Sequence, residues 1–173
     1  MKKRNFVARV LFAVYAISLL MILNSCSFVD GKVPQNKAES NAVKFIDYMY
    51  AGNAQKATDL IFDDVLAAAI ATGGYETESV FVYAFEKELD DLIEGYQEEY
   101  GKKWKYEINI IDSYEKNAPE GYTDYEVMEV ALEIKHEGRK FFFFKIDGTE
   151  ELKIQMIKKD NTWYVLSWSN VYI

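Results

Sequence analysis

The sequence offers few side chains that could do acid–base or metal chemistry. His136 is the one histidine in 173 residues, which excludes zinc sites built from several histidines and leaves general acid or base catalysis as its chemical role. It precedes Glu137-Gly138-Arg139, whose composition predicts a tight hairpin turn. A solvated turn residue is the simpler interpretation, and we expect His136 at the surface.

Two groups of carboxylates have spacings that suit a cation or a binding site. Glu86, Asp90 and Glu94 recur every four residues and would share one helix face, where they could hold Ca²⁺ with oxygens from elsewhere. Such a row is more typical of a solvated face. Asp63-Asp64 could place a carboxylate at the mouth of a pocket, but capping of a helix explains both residues. We predict no metal site, no cofactor and no catalytic residue.

Aromatic residues are abundant, with 13 Tyr, 11 Phe and 3 Trp. Most of them, Trp168 included, fall at positions that the apolar pattern assigns to a core. A subset with polar tips would suit the lining of a ligand pocket. The candidate ligand-binding residues are Tyr48, Phe81, Phe85, Trp104, Phe142, Phe144 and Trp163.

The first 25 residues have the pattern of an export signal. Met1–Arg9 holds four basic residues and no acidic one, and Val10–Leu23 is apolar except for one serine. The apolar run is shorter than the roughly 20 residues that a transmembrane helix needs. The pattern predicts a secretory signal peptide rather than a membrane span.

Leu23-Asn24-Ser25-Cys26 resembles the bacterial lipobox, an aliphatic residue, a variable residue, a small residue and then cysteine. The resemblance implies that Cys26 becomes a diacylglyceryl thioether and the first residue of the mature chain, after a signal peptidase cuts behind Ser25. Two or three acyl chains, palmitate among them, would hold the protein stably on a cell membrane, facing the extracytoplasmic side. The alternative is a secreted protein cut nearby, in which Cys26 is incidental.

The charge of the mature chain excludes one class of partner. Removal of residues 1–25 takes away four basic residues and no acidic one, so the formal net charge falls from −8 to −12. Nucleic acid is bound chiefly through Lys and Arg, so we predict no nucleic-acid partner. The same balance argues against a basic patch that docks on anionic lipid. Cys26 is the one cysteine, which excludes an intramolecular disulfide.

Residues 26–37 are polar and aperiodic and predict a tether, followed by a single domain over residues 38–173. Helical spacing over 38–50 predicts a first helix, and the long pattern over 78–100 predicts the longest one, with two short helices between them. The predicted caps and ends of these four helices are Gly52, Asn53, Asp63-Asp64, Gly73-Gly74, Thr77 and Gly101.

From residue 103 the apolar period falls to two, which predicts strands. Four consecutive phenylalanines in Phe141–Ile146 cannot alternate, so that strand should be central, with both faces covered. The predicted strands cover 103–110, 128–135, 141–146, 152–156 and 163–168, and the predicted turns fall at 117–121, 137–139, 147–148 and 159–161. Helices followed by a strand meander predict an α+β fold, with N-terminal helices packed on a curved antiparallel sheet.

Residues 38–173 resemble the nuclear transport factor 2-like superfamily in element order and in the closing strand Lys-Asp-Asn-Thr-Trp-Tyr-Val-Leu-Ser. Small bacterial lipoproteins that carry this domain are the nearest likeness. The resemblance implies a sheet that wraps the helices into a cone, with an apolar pocket for a small molecule or a peptide at its open end. Cyclases and isomerases of the superfamily place an Asp base, or an Asp and a His, inside the cone, and no position of this sequence matches that set.

These patterns together predict a membrane-anchored extracytoplasmic lipoprotein that binds a small apolar ligand or an envelope protein without catalysis. One alternative is an enzyme of the cyclase or isomerase type, with a buried carboxylate whose pKa is raised by its apolar surroundings. The other is an interaction module that forms a homodimer through the face of its sheet.

Overall fold

The fold is known from a computed structural model that describes residues 33–140 and 144–171. Within these ranges the chain forms four helices and then four strands. The elements are α1 (Lys37–Tyr50), α2 (Ala54–Thr58), α3 (Asp63–Gly73), α4 (Glu78–Tyr100), β1 (Lys105–Lys116), β2 (Glu126–Lys140), β3 (Phe144–Lys159) and β4 (Thr162–Val171). The predicted fold class, helices followed by a curved antiparallel sheet, is confirmed.

Three helices, α1, α2 and α4, begin where a polar side chain satisfies one of their first free N–H groups. In α3, by contrast, the cap position is Phe62, and the predicted caps Asp63 and Asp64 lie in the first turn without capping it. The Asn53 side chain accepts a hydrogen bond from Lys56 N at 3.2 Å, and the Thr77 hydroxyl accepts one from Val80 N at 3.3 Å. Both predicted caps are therefore confirmed. The third helix ends at Gly73 and is capped by Gly74, whose φ of 69° lies in the left-handed region that favours glycine.

The four strands form one antiparallel meander in the order β1-β2-β3-β4. The pairing register shifts once in β1, between Ile110 and Asp112, and once in β3, between Gln155 and Met156. Such irregularities bend a strand and increase its twist. The turn from β3 to β4 is tight, with φ of 48° at Asp160 and 65° at Asn161, as paired strands prefer.

The main core lies between the inner face of the sheet and the helices. Phe45 and Ile46 of α1 and Leu89 of α4 are buried there with the alternating residues Val130, Leu132, Ile134, Ile154 and Met156 of the central strands. Each such side chain stabilises the fold by about 1.5–3 kcal/mol relative to exposure to water. A smaller cluster around Phe62 includes Val127, Ile157 and Leu166.

Two predicted turns are wrong, because the central hairpin is longer than the sequence pattern indicates. Glu137, Gly138 and Arg139 lie in β2 and pair with residues 147, 146 and 145 of β3. The predicted turns at 137–139 and 147–148 are therefore strand, and the predicted strands 141–146 and 152–156 belong to one strand from residue 144 onward. Residues 141–143 of the predicted central strand lie outside the described residues.

The glycines in the two wrongly predicted turns, Gly138 and Gly148, allow Tyr100 to approach the sheet closely and do not form turns. A Cβ atom on Gly138 would lie 1.8 Å from the carbonyl oxygen of Tyr100, and one on Gly148 would lie 2.0 Å from the Tyr100 hydroxyl oxygen. A side chain at either position would collide with the end of α4. Gly138 and Gly148 thus let α4 end directly on the sheet.

Among the described residues, no helix is long and apolar enough to cross a membrane. The predicted signal peptide and Cys26 lie outside the described residues.

Candidate functional site

The ends of α1 and α4 and the start of β1 bring a set of hydrogen-bonding side chains together at one end of the sheet. Tyr50 is the last residue of α1, Tyr96 lies near the end of α4, and Trp104 immediately precedes β1. His136 and Glu150 come from the neighbouring strands β2 and β3. His136 is directly opposite Gly148, so Glu150 is its diagonal neighbour on the inner face.

The Glu150 carboxylate is the centre of this set. His136 Nε2 lies 3.0 Å from Glu150 Oε1, the Tyr96 hydroxyl donates to the same oxygen at 2.8 Å, and the Tyr50 hydroxyl donates to it as well. The His136 side chain is 2% exposed, whereas that of Glu150 is 23% exposed. Three donors therefore converge on one oxygen of a carboxylate that still reaches the surface.

The Trp104 indole determines which nitrogen of His136 carries the proton. Trp104 Nε1–H lies 3.1 Å from His136 Nδ1, and an indole nitrogen can only donate. Nδ1 must therefore accept, so the ring proton of neutral His136 is on Nε2, where it is donated to Glu150. Both ring nitrogens have committed partners.

Stacked aromatic rings fix the positions of these groups. The Tyr96 ring stacks on Trp104 at 4.9 Å and 9° and on His136 at 4.6 Å and 15°. Tyr100 stacks on His136 at 5.3 Å and 25°. Tyr106 of β1 is anchored to α1 by a 2.9 Å hydrogen bond from its hydroxyl to Asp47. These contacts leave the acid–base groups little rotational freedom.

The electrostatics keep the carboxylate ionised and the phenols protonated. Burial acts to raise the pKa of Glu150, but the hydrogen bonds from His136, Tyr50 and Tyr96 outweigh it and hold that pKa below its ordinary value. Burial, with the hydrogen bond to Glu150, raises the pKa of Tyr50, and burial raises that of Tyr96. The site therefore presents a stable negative charge within a rigid aromatic surround.

The predicted surface position of His136 is wrong. His136 is buried in β2 because its strand continues beyond residue 136, and the inward alternation of Val130, Leu132 and Ile134 extends to it. The sequence contained that signal, but Glu137-Gly138-Arg139 resembles a turn more than it resembles a strand.

Glu150, Tyr50 and Tyr96 are members of the site that the sequence did not indicate as such. Tyr50 and Tyr96 belong to apolar helix stripes, and their hydroxyls gain a role only through contact with β3. Glu150 could have been found by extending the alternation of Leu152 and Ile154 backwards by one step, which places it on the inner face.

Of the predicted ligand-binding residues, Trp104 is the one that the structure places in this set. Phe81 and Phe85 stack on each other at 5.9 Å further along α4. Trp163 is buried beneath Lys158, and Tyr48 lies beneath Lys56. Phe142 lies outside the described residues, and Phe144 is described by its backbone as the first residue of β3.

The carboxylates that the sequence suggested for a cation or a pocket lie outside this site. Asp63 is exposed in the first turn of α3 and pairs with Lys159 at 2.9 Å. Glu86, Asp90 and Glu94 are exposed on α4. Within residues 33–140 and 144–171, no group of three or more acidic, histidine or cysteine side chains could hold a metal ion.

A more deeply buried carboxylate, Glu129, lies on the opposite face of the sheet. It accepts hydrogen bonds from Lys116 and the Tyr114 hydroxyl, and Lys153 lies 3.8 Å away. The hydrogen bonds from Lys116 and Tyr114 hold the pKa of Glu129 below its ordinary value despite its burial. This network ties β1, β2 and β3 together and has the composition of a structural ion pair.

No protein-family model matches this chain, and no curated protein matches it. Several solved structures are similar to this chain at low sequence identity. A protein from Xanthomonas campestris described as a calcium/calmodulin-dependent protein kinase II association domain is 11% identical, with a TM-score of 0.43, over 83% of this chain and 91% of its own.

Two further structures show similarity of the same order. The intermembrane-space region of the chloroplast protein ARC6 is 7% identical, with a TM-score of 0.37, over 82% of this chain and 98% of its own. The beta subunit of the benzoate 1,2-dioxygenase from Burkholderia mallei is 8% identical, with a TM-score of 0.42, over 80% and 90%. At these identities and scores the similarities carry no inference about activity, ligand or partner.

Proposed function

We propose that this protein is a lipid-anchored binding protein on the extracytoplasmic side of a cell membrane, and that it holds its ligand without transforming it. The proposed anchor rests on the resemblance of Leu23-Asn24-Ser25-Cys26 to a lipobox, and the proposed family is the nuclear transport factor 2-like superfamily. The observation that carries the non-catalytic part is the convergence of His136, Tyr50 and Tyr96 on one oxygen of Glu150.

This convergence argues against the cyclase or isomerase alternative. A general base of such an enzyme needs a pKa raised toward the working pH, and the pKa of Glu150 is lowered instead. His136 has its accepting nitrogen occupied by Trp104 and its donating nitrogen occupied by Glu150. A substrate would have to break one of these two bonds before His136 could move a proton.

The same site is suited to recognition. Tyr96, Trp104 and Tyr106 are half-buried and offer apolar ring area beside the exposed part of the Glu150 carboxylate. Among the described residues, every hydrogen bond to this carboxylate ends on Oε1, so Oε2 can accept from a ligand. The proposed ligand is therefore a small, largely apolar molecule, or an envelope protein segment, that carries one donor or positive charge.

Native mass spectrometry of the mature lipoprotein, extracted gently from its bacterial membrane, tests this function. We expect a bound small molecule, or a protein that can be cross-linked at this site, in the wild-type chain and in Glu151→Gln. We expect its loss in Glu150→Gln. The two variants differ by one strand position and present their changes on opposite faces of β3.

Three results would contradict the proposal. The first is a wild-type chain that carries neither a bound molecule nor a cross-linked protein, and the second is a ligand that Glu150→Gln retains in full. The third is catalysis: exchange of the α-protons of cyclohexanone in heavy water, accelerated by the wild-type chain and not by Glu150→Gln, would favour the enzyme alternative. Circular dichroism of each variant confirms that it is folded.

A further inference from the structure

A basic cleft lies at the same end of the sheet as Glu150, where β2 and β3 approach their connection. Its volume is about 220 Å³, and it is lined by Lys103, Lys105, Glu137, Gly138, Arg139 and Lys145. The main chain of Tyr100 covers Gly138 from the side of the helices. The cleft thus combines four cationic side chains with one acidic one in a chain of strongly negative net charge.

Three of these four positive charges make no ion pair within the described residues, although Glu137 lies directly opposite Lys105 in the pairing of β1 with β2. Lys145 Nζ lies 3.2 Å from Asp147 and 3.4 Å from Glu137. For Lys103, Lys105 and Arg139, by contrast, no carboxylate of the described ranges lies within 4.0 Å. Elsewhere on the sheet, lysines are ion-paired, as Lys116, Lys153, Lys158 and Lys159 illustrate.

Like charges held together without a counterion repel one another, and an anion from outside the chain relieves that repulsion. Lysine and arginine side chains around a cleft of this size suit a phosphate group, to which arginine can donate in pairs. The chemistry that fits the cleft is therefore a phosphate ester or phosphodiester.

We propose that this cleft docks on the phosphate headgroups of anionic lipid in the membrane that carries the protein. The inference rests on the proposed lipid anchor, which keeps the domain beside that membrane. Charge complementarity supports it, since each Lys or Arg near an anionic surface strengthens binding by roughly five-fold. The negative net charge of the chain, from which we predicted no basic patch that docks on lipid, conceals this local cluster.

The length of the chain allows the contact. Residues 26–36 precede α1, and eleven residues span at most about 36–40 Å when extended. The 14 residues of α1 run from that point to Tyr50, next to Glu150, over a distance of about 21 Å. Eleven residues can therefore reach further than the length of the helix that separates their attachment point from the end of the sheet where the cleft lies.

Vesicle sedimentation tests the docking without the anchor. The chain from residue 26 onward, with Cys26→Ser so that no acyl group contributes, is mixed with vesicles of phosphatidylcholine alone or with phosphatidylglycerol added. We expect binding to the anionic vesicles only, weakening with added salt, and about 25-fold weaker in Lys105→Gln/Arg139→Gln, which removes two cations. The control Lys56→Gln/Lys87→Gln removes the same charge from the helices and should bind as wild type.

Several outcomes would overturn the proposal. They are equal binding to both kinds of vesicle, equal weakening in the cleft and control variants, or inorganic phosphate bound in the cleft by a chain that does not bind anionic vesicles. The last would identify a binder of soluble phosphate. Because the assayed chain has no acyl group, these outcomes do not depend on the anchor, and a failed acylation test for Cys26 would leave them unchanged.

Discussion

Replacing Glu150 with glutamine tests the energetics of the site, because it removes the charge and keeps the shape. Three hydrogen bonds end on this carboxylate, from His136, Tyr50 and Tyr96. A hydrogen bond to a charged group contributes about 1.5–3 kcal/mol and one between neutral groups about 0.5–1.5 kcal/mol. Each bond therefore weakens by about 1 kcal/mol when the acceptor becomes neutral, and the three together by about 3 kcal/mol. The variant no longer has to bury a charge, which offsets part of this loss. We expect the free energy of unfolding to fall by about 1–3 kcal/mol at neutral pH.

The loss should depend on pH in a defined direction. The pKa of Glu150 is lower in the folded chain than its ordinary value, so the carboxylate contributes stability that is fully present above the unfolded pKa of about 4.3. That stability disappears as the pH falls toward the folded pKa, because both states then bind the proton. The difference between wild type and Glu150→Gln should therefore close in acid.

Urea unfolding at neutral and acidic pH measures both effects. Glu151→Gln is the matched control, because Glu151 lies opposite Glu133 on the other face and its replacement should change the free energy of unfolding by no more than about 0.5 kcal/mol. The reasoning is refuted if Glu150→Gln is as stable as wild type at neutral pH, or if its deficit is the same at every pH.

Three further changes have expected outcomes. Gly148→Ala should lower the free energy of unfolding by about 1–3 kcal/mol, measured by urea unfolding, because its Cβ would lie 2.0 Å from the Tyr100 hydroxyl, and Tyr100→Phe should restore part of the loss. Trp104→Phe should cost about 1 kcal/mol in the same assay, because it removes the proton donated to His136, and a chain of unchanged stability would contradict that hydrogen bond. Cys26→Ser should abolish incorporation of radiolabelled palmitate and release the chain from the detergent phase in phase partitioning, whereas retention of label would place the acyl group elsewhere.

The helices were predictable from sequence because their signals are local. Asn53 and Thr77 are caps in the structure as their sequence context indicates, and the apolar stripe of α1 faces the core. The hairpin of β2 and β3 was not predictable, because Gly138 and Gly148 are residues typical of turns. Both glycines are instead required by the close approach of Tyr100, which is distant in sequence. A local pattern cannot distinguish a glycine that turns the chain from one on which another element rests.

The site was predictable only in part for the same reason. Trp104 and His136 could be selected by residue type, but their contact with Glu150 requires the register of β2 against β3. Tyr50 and Tyr96 reach Glu150 from the C-terminal parts of two helices, which a local pattern does not place beside β3. The predicted lipid anchor, the proposed ligand and the sheet-mediated dimer stay predictions.

The proposed non-catalytic function depends most on the hydrogen bonds that the buried acid–base groups make with one another. Because His136 is the one histidine of the chain, nitrogen NMR of isotopically labelled protein observes its ring without ambiguity. We predict a ring whose proton is on Nε2 and whose Nδ1 accepts from Trp104. A proton on Nδ1, or a ring in rapid exchange between the two tautomers, would contradict the closed network and with it the non-catalytic function.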